Sequence, residues 1–230
     1  MLSKLSRLNE EIAMWEQLRS YTLYLSLAMA VAWVTPQAAA DVGITDSLDS
    51  VTVTHKGKEI TIRRNQDGNN KVNPAYAWTS RDCPPFCIQP IKIAEGVETI
   101  GELEMLNYLK KIHDGNNSIL VIDSRTPDWV KNGTIPGSIN IPWTSLKTDA
   151  GADPFEVADI LKERFGVRMH EGLWDFSNAK TLVLFCNGMW CGQSPSNINT
   201  LLDMGYPANK LKWYRGGMQD WEILGLTTVK

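Results

Sequence analysis

From residue 99 onward the chain alternates between two kinds of hydrophobic pattern. Leu103, Leu106 and Leu109 recur at helical spacing, and Thr99 with Glu102 reads as a capping box. Together they predict a helix that stops at His113-Asp114-Gly115. Residues 118–123 (SILVID) are instead a short unbroken apolar run, the pattern of a strand buried on both faces. Asp153-Pro154 with Glu156 signals a second helix ending near Phe165-Gly166, and residues 181–185 (TLVLF) read as a second buried strand. Ser194-Pro195 reads as the opening of a third helix, with Ile198, Leu201 and Leu202 inward and Gly205 as its stop. Residues 211–214 (LKWY) form a last strand, and Gly216-Gly217 begins a short closing helix. Strands and helices alternating in this way predict an α/β fold, a parallel sheet covered by helices on both faces. Ligands in such sheets bind beyond the carboxyl ends of the strands, which directs attention to the loops after Ile122 and Phe185.

Before this region the pattern is different. Residues 50–64 alternate as SVTVTHKGKEITIRR, two β-branched runs around a Gly-containing turn, and predict a small hairpin. Residues 65–74 (NQDGNNKVNP) read as loop, and CPPFC, with its prolines, as an extended lead-in. Residues 41–95 are therefore an accessory segment, and residues 96–230 the main domain. Residues 21–34 (YTLYLSLAMAVAWV) are apolar and free of charge, and Ala38 and Ala40 precede Asp41, which predicts a signal peptide cleaved after Ala40. The segment before it is neutral, Lys4, Arg7 and Arg19 against Glu10, Glu11 and Glu16, and residues 21–40 are long enough to span a bilayer. The alternative is thus an uncleaved membrane anchor. Either way residues 41–230 are expected in an exported, oxidising compartment, the periplasm, with membrane contact only if the leader is retained.

Composition narrows the function. With 43% apolar residues in a 230-residue chain, a sizeable core is available and disorder is excluded as the whole description. Lys+Arg 23 against Asp+Glu 26 gives a net charge of −3, and no run of either sign suggests a nucleic-acid partner. The four cysteines form two close pairs, too few for a disulfide scaffold. In an oxidising compartment Cys83 and Cys87, four apart around two prolines, favour a disulfide. A metal site would need two further ligands that are not nearby, so neither a metal nor a cofactor is expected.

The second pair carries the chemistry. The loop Cys186-Asn187-Gly188-Met189-Trp190-Cys191-Gly192-Gln193-Ser194 leaves a strand and runs directly into a helix N-terminus. That places the Cys186 thiol in a ring of backbone N–H groups at the positive end of a helix dipole, two features that lower a thiol pKa. Gly188 and Gly192 let the chain curl tightly enough for those amides to converge. A buried cysteine that merely ends a strand is the plain alternative, but it leaves the glycines and the helix start unexplained. Cys186 is the expected nucleophile, and residues 187–194 the expected substrate cradle. Cys191 could resolve an intermediate on Cys186, lock the site as an internal disulfide, or simply serve as a small apolar residue at the helix cap. His55, His113 and His170 all lie outside the loop in sequence, and no general base is needed if the thiol is already acidic.

Three segments resemble the rhodanese-like family: VIDSRTPDWVKNGTIPGSINIP (residues 121–142), LVLFCNGMWCGQSPSNINTLLDMGYP (residues 182–207) and YRGGMQDWEILGL (residues 214–226). The resemblance implies a rhodanese-like fold with a five-stranded parallel sheet, and a single-cysteine sulfurtransferase whose nucleophile maps onto Cys186. Asp123 and Arg125 match the family's D-x-R pair, read here as structural support. The implied reaction moves a sulfane sulfur from a donor such as thiosulfate or polysulfide, through a Cys186 persulfide, to a thiol or cyanide-type acceptor. The chain departs from the family in three places. The interval from Cys186 to Ser194 is longer than in its compact sulfurtransferases, Gln193 stands where an arginine is common, and Thr134 stands where histidine is common. The uncharged loop argues against the phosphatase-type chemistry of longer-loop relatives, which clamp the oxyanion with a guanidinium. A second function class is a thiol/disulfide redox or partner-binding module without turnover, working with an exported redox protein. Trp190, expected to be exposed, would suit such docking.

Overall fold

The computed structural model describes residues 41–230 together with Met14 and Trp15. The expected leader and its cleavage point lie outside the described residues. Among the described residues no helix is long and apolar enough to cross a membrane.

The accessory segment opens with the predicted hairpin, β1 (Ser50–His55) antiparallel to β2 (Lys58–Arg63), with Ser50 opposite Arg63 and His55 opposite Lys58. Lys56 and Gly57 turn it, both at positive φ (49° and 76°), the geometry that matches the strands' own twist. Val51, Val53 and Ile62 face inward. The main domain then runs through β3 (Glu98–Ile100), α1 (Glu102–His113), β4 (Ile119–Asp123), α2 (Pro127–Val130) and β5 (Ile139–Asn140). It continues through α3 (Pro154–Asp159, widened into a π-turn over Ile160–Arg164) and the small antiparallel pair β6 (Arg168–His170) and β7 (Leu173–Asp175). It closes with β8 (Thr181–Phe185), α4 (Gln193–Asp203), β9 (Leu211–Tyr214) and α5 (Gly217–Ile223).

Five strands form one all-parallel sheet in the order β3-β9-β8-β4-β5. Alternate side chains of its central strands feed two separate cores, as the unbroken apolar runs require. Val121, Val183, Phe185 and Tyr214 face α1, α5 and the hairpin, against Met105, Leu106, Leu109, Met218 and Trp221. Ile122, Leu182, Leu184, Leu211 and Trp213 face the other way, onto Val157, Leu161, Ile198 and Leu201 of α3 and α4. The fold is the rhodanese-like α/β architecture with its N-terminal hairpin.

Three local expectations are corrected. Thr99 does not cap α1; it lies in β3 opposite Trp213, because the edge of the sheet takes residues 98–100 as a ladder strand. Gly101 is the N-cap, and its N–H donates to the Glu104 carboxylate at 3.0 Å. With the helix starting later, the inward stripe moves to Met105, Leu106 and Leu109, and Leu103 is 51% exposed. The CPPFC segment is a turn and not an extended lead-in. Its disulfide brings the Cα atoms of Cys83 and Cys87 to 4.6 Å, and Phe86 N–H donates to the Asp82 carbonyl. Four extended steps would span roughly 13 Å.

The accessory segment and the main domain meet at one buried charge. Arg125, just past β4, is 0% exposed. Its Nε and Nη2 donate to the two Asp123 carboxylate oxygens at 2.8 and 2.6 Å, and Nη2 also donates to the Gly133 carbonyl. Nη1 donates to the Tyr76 hydroxyl at 2.7 Å and to the Asn187 amide oxygen at 3.4 Å. Thr134 completes the cage by donating its hydroxyl to Asp123 at 2.7 Å, so this departure from the family pattern has a structural role. Asp123→Asn leaves a buried guanidinium without its counter-charge and is expected to cost about 3–5 kcal/mol of stability in a urea titration. Tyr76→Phe removes one acceptor and should cost less, about 1–3 kcal/mol.

Candidate active site

Beyond the carboxyl end of β8 the chain curls into the Cys186 loop, and α5 grips it from outside. Met218 N–H donates to the Cys186 carbonyl at 3.0 Å and Gln219 N–H to the Asn187 carbonyl at 2.9 Å. The approach is so close that a Cβ on Gly217, at φ 56°, would collide with the Cys186 carbonyl oxygen and the Gly188 nitrogen, which explains the glycine. Cys191 N–H donates to the Gly188 carbonyl at 2.9 Å and folds the second half of the loop back on the first.

Cys186 is 2% exposed, and its sulfur meets several donors and one acceptor, the Cys191 carbonyl oxygen at 3.2 Å, to which the thiol form donates. The Ser194 hydroxyl lies 3.1 Å away, and Trp213 Nε1 donates to that same Ser194 oxygen at 3.1 Å. Because the indole can only donate, it occupies the Ser194 oxygen as acceptor and leaves the hydroxyl proton directed at sulfur. Backbone N–H groups of Ser194 and Gly188 and the Cys191 thiol also hydrogen-bond to the Cys186 sulfur. Burial pushes the Cys186 pKa up, but the Cys191 thiol, the Ser194 hydroxyl and the two amides outweigh it and bring the pKa down to about 7. Cys191 moves the opposite way: burial and its hydrogen bond to Cys186 push it well above the ordinary thiol range. The two therefore divide into an anionic sulfur and a thiol that donates to it. A Cys186 thiolate also favours the charged state of Arg125, and by reciprocity the buried guanidinium favours the thiolate.

Ser194 was expected to cap α4; Gly192 occupies that position instead, and the Ser194 side chain is committed to Cys186. Asn187 accepts from Arg125 and directs its amide at the Cys191 sulfur (3.9 Å), while Gln193 Oε1 lies 3.8 Å from that sulfur on the other side. Met189 points outward, and its carbonyl accepts the Gln89 N–H at 2.8 Å. Trp190 is half-buried, contrary to the expected exposure. Its Nε1 donates to Gln219 at 2.8 Å, the Phe86 ring meets it edge-on at 5.5 Å, and the Arg81 guanidinium lies 4.4 Å from its ring centre. The disulfide-closed turn thus packs on the outside of the loop. Arg215 Nη2 donates to the Gln89 carbonyl at 2.8 Å and Gln219 Nε2 to the Tyr76 carbonyl at 3.0 Å, fastening this strap at two more points.

None of the three histidines joins the site: His55 accepts from Gly137 N–H, His113 pairs with Thr54, and His170 lies on β6. Among the described residues no cluster of His, Cys, Asp or Glu could hold a metal ion. Sequence reasoning missed Trp213, Tyr76, Gln89 and Gln219, each of which acts through a distant contact that leaves no local pattern. The thiolate absorbance of Cys186 is expected to rise with pH through a midpoint near 7, since the anion dominates above the pKa. Ser194→Ala removes one charge-assisted hydrogen bond, and well below that midpoint the thiolate fraction should fall about tenfold.

Several solved structures are similar to this chain, among them the following three. One is a protein of unknown function from Rhodopseudomonas palustris, described as a possible tyrosine phosphatase: 20% identity, 60% of this chain and 88% of that one, TM-score 0.39. Another is a Bacillus halodurans protein, at 19% identity, 54% and 70% coverage and a TM-score of 0.36. The third is a human single-domain sulfurtransferase, at 19% identity, 54% and 95% coverage and a TM-score of 0.34. At these distances the likenesses do not bear on activity. No curated protein matches the chain. The profile of the rhodanese-like domain matches residues 105–224, just over half of the chain, and takes in β4, the Cys186 loop and α5: the chain belongs to the rhodanese-like domain family.

Proposed function

We propose that this protein is a sulfurtransferase that carries sulfane sulfur on Cys186. The observation that supports it most is the Cys186 sulfur itself, buried, ringed by a hydroxyl, a thiol and two backbone N–H donors, with its pKa drawn down to about 7. Such a site suits an anionic sulfur both before and after the chemistry. The Cys186 thiolate attacks the outer sulfur of a donor such as thiosulfate. The donor's S–S bond breaks, sulfite leaves with the bonding pair, and a persulfide anion remains on Cys186. A thiol or cyanide-type acceptor then takes the outer sulfur and returns the thiolate. No histidine is needed as base, because the attacking group is already an anion near neutrality.

Phosphoryl transfer fits the site less well. Each N–H of Arg125 is committed to a protein acceptor, and Arg215 is bonded to the strap. No guanidinium is free within the loop to clamp a transferring phosphoryl group. The partner-docking alternative loses the exposed Trp190 on which it drew, because the strap covers that ring. An exported location remains part of the proposal, supported by the signal-like leader and by the Cys83–Cys87 disulfide.

Reduced protein incubated with thiosulfate is expected to gain the mass of one sulfur atom on the peptide carrying Cys186 and to release sulfite in equal amount. Cys186→Ser should do neither. Uptake that survives Cys186→Ser, or no uptake by the unaltered protein, would overturn the assignment.

A further inference from the structure

The sulfurtransferase cycle uses one thiol, but the loop holds two. Cys191 is 4% exposed, reduced, and hydrogen-bonded to the Cys186 sulfur. Its backbone is drawn to the same place, since the Cys191 carbonyl oxygen lies 3.2 Å from Cys186 Sγ. Nor is its setting that of a small apolar residue at a helix cap. The Asn187 amide and the Gln193 side-chain oxygen flank its sulfur at 3.9 and 3.8 Å, so polar groups meet it from two sides. The chain reverses between Gly188 and Cys191, where the Cys191 N–H donates to the Gly188 carbonyl, and so returns Cys191 to the side of Cys186, five residues earlier. The contact is made to Cys186 Sγ, the sulfur that would become the inner atom of a persulfide.

We propose that Cys191 is a resolving thiol, which gives the site a further activity, the reduction of sulfane sulfur to hydrosulfide at the expense of a dithiol. The inference rests on the sulfur uptake proposed above, because its substrate is the Cys186 persulfide. Cys191 sulfur bonds to Cys186 Sγ, and the bond between Sγ and the outer sulfur breaks. The outer sulfur leaves with the bonding pair and takes the Cys191 proton, so that Cys186–S–S⁻ and Cys191–SH become a Cys186–Cys191 disulfide and HS⁻. Two thiol sulfurs are oxidised by two electrons in all, and the sulfane sulfur is reduced by the same two. An external dithiol then exchanges with the Cys186–Cys191 bond, restores both thiols and ends as its own disulfide. With thiosulfate as donor, thiosulfate and a dithiol become sulfite, hydrosulfide, a proton and a disulfide. The Ser194 hydroxyl and the loop amides, which hold the thiolate at rest, also favour negative charge on the departing sulfur.

The test uses full-length protein, reduced and freed of reductant under anaerobic conditions, mixed with one equivalent of thiosulfate. Sulfite, sulfide and the linkage of the 186–191 region are followed together. The unaltered protein is expected to release sulfite first and then an equal amount of sulfide, leaving Cys186 joined to Cys191. The sulfide step should be first order, with a rate independent of protein concentration. Cys191→Ala, which also removes a hydrogen bond to the Cys186 sulfur, should release sulfite more slowly but to the same one equivalent, keep its persulfide, and yield at least tenfold less sulfide than sulfite. If the unaltered protein releases sulfite but holds its persulfide as long as Cys191→Ala does, with no linked pair, the resolving role is overturned and sulfur uptake stands. If neither protein releases sulfite, uptake fails and this inference falls with it. The linked pair is read in the unaltered chain, so the result does not depend on how well the variant folds.

Discussion

A full positive charge sits at 0% exposure in the middle of this fold, and the chain can bury Arg125 only because every N–H it carries meets an acceptor. Those acceptors come from four places in sequence: Asp123 at the end of β4, Gly133 in the turn beyond α2, Tyr76 in the accessory segment and Asn187 in the Cys186 loop. A buried ion pair need not add stability over an apolar replacement of the same shape. What it does here is fix position. The strap, the sheet and the loop each supply part of one coordination shell, so displacing any of them leaves a buried charge short of a partner. The Cys186 loop is thus held in place by a residue that does not touch the reacting sulfur through any hydrogen bond.

The sulfur's own environment is built in the same indirect way. Ser194 can donate to Cys186 because Trp213, from the neighbouring strand, occupies its oxygen. Trp213 is buried between α4 and the sheet, and Ser194 sits in the first turn of α4, so neither can turn away without breaking the second core. The polarity of the site therefore follows from how helix and strand pack. The same loop backbone that converges on Cys186 also brings up Cys191, and the proximity that makes one sulfur anionic keeps the other protonated.

How much of this was legible depended on whether the cause was local. The strands β4, β8 and β9 announce themselves as apolar runs because each is buried on both faces. Strand β3 does not: residues 98–100 contain one fully buried side chain and are a strand only because β9 offers them a ladder. Cys186 stood out because glycines and a helix start followed it within a few residues. The Ser194-Pro195 pair was misread for a related reason, since a serine before proline carries the local signature of a cap, whereas its actual partners are Cys186 and a tryptophan 19 residues away. Tyr76 lies 49 residues from Arg125, and Trp190 is covered by the Phe86 ring and the Arg81 guanidinium from a segment about a hundred positions earlier. Contacts of that kind arise from the assembled sheet and have no periodicity to betray them.

The strap has a kinetic meaning as well as a structural one. A solute that is to reach Cys186 through the strap must break the Gln89–Met189 backbone hydrogen bond, the Arg215–Gln89 bond or the ring contacts around Trp190. Losing two such hydrogen bonds costs about 2–3 kcal/mol, which leaves the open form at roughly one molecule in a hundred. Apparent affinity for any donor that enters this way is weakened by that same fraction. The cover bears on lifetime too: an outer sulfur seated beneath the strap meets an external acceptor arriving this way only when the cover lifts, whereas its release as hydrosulfide by Cys191 needs no opening.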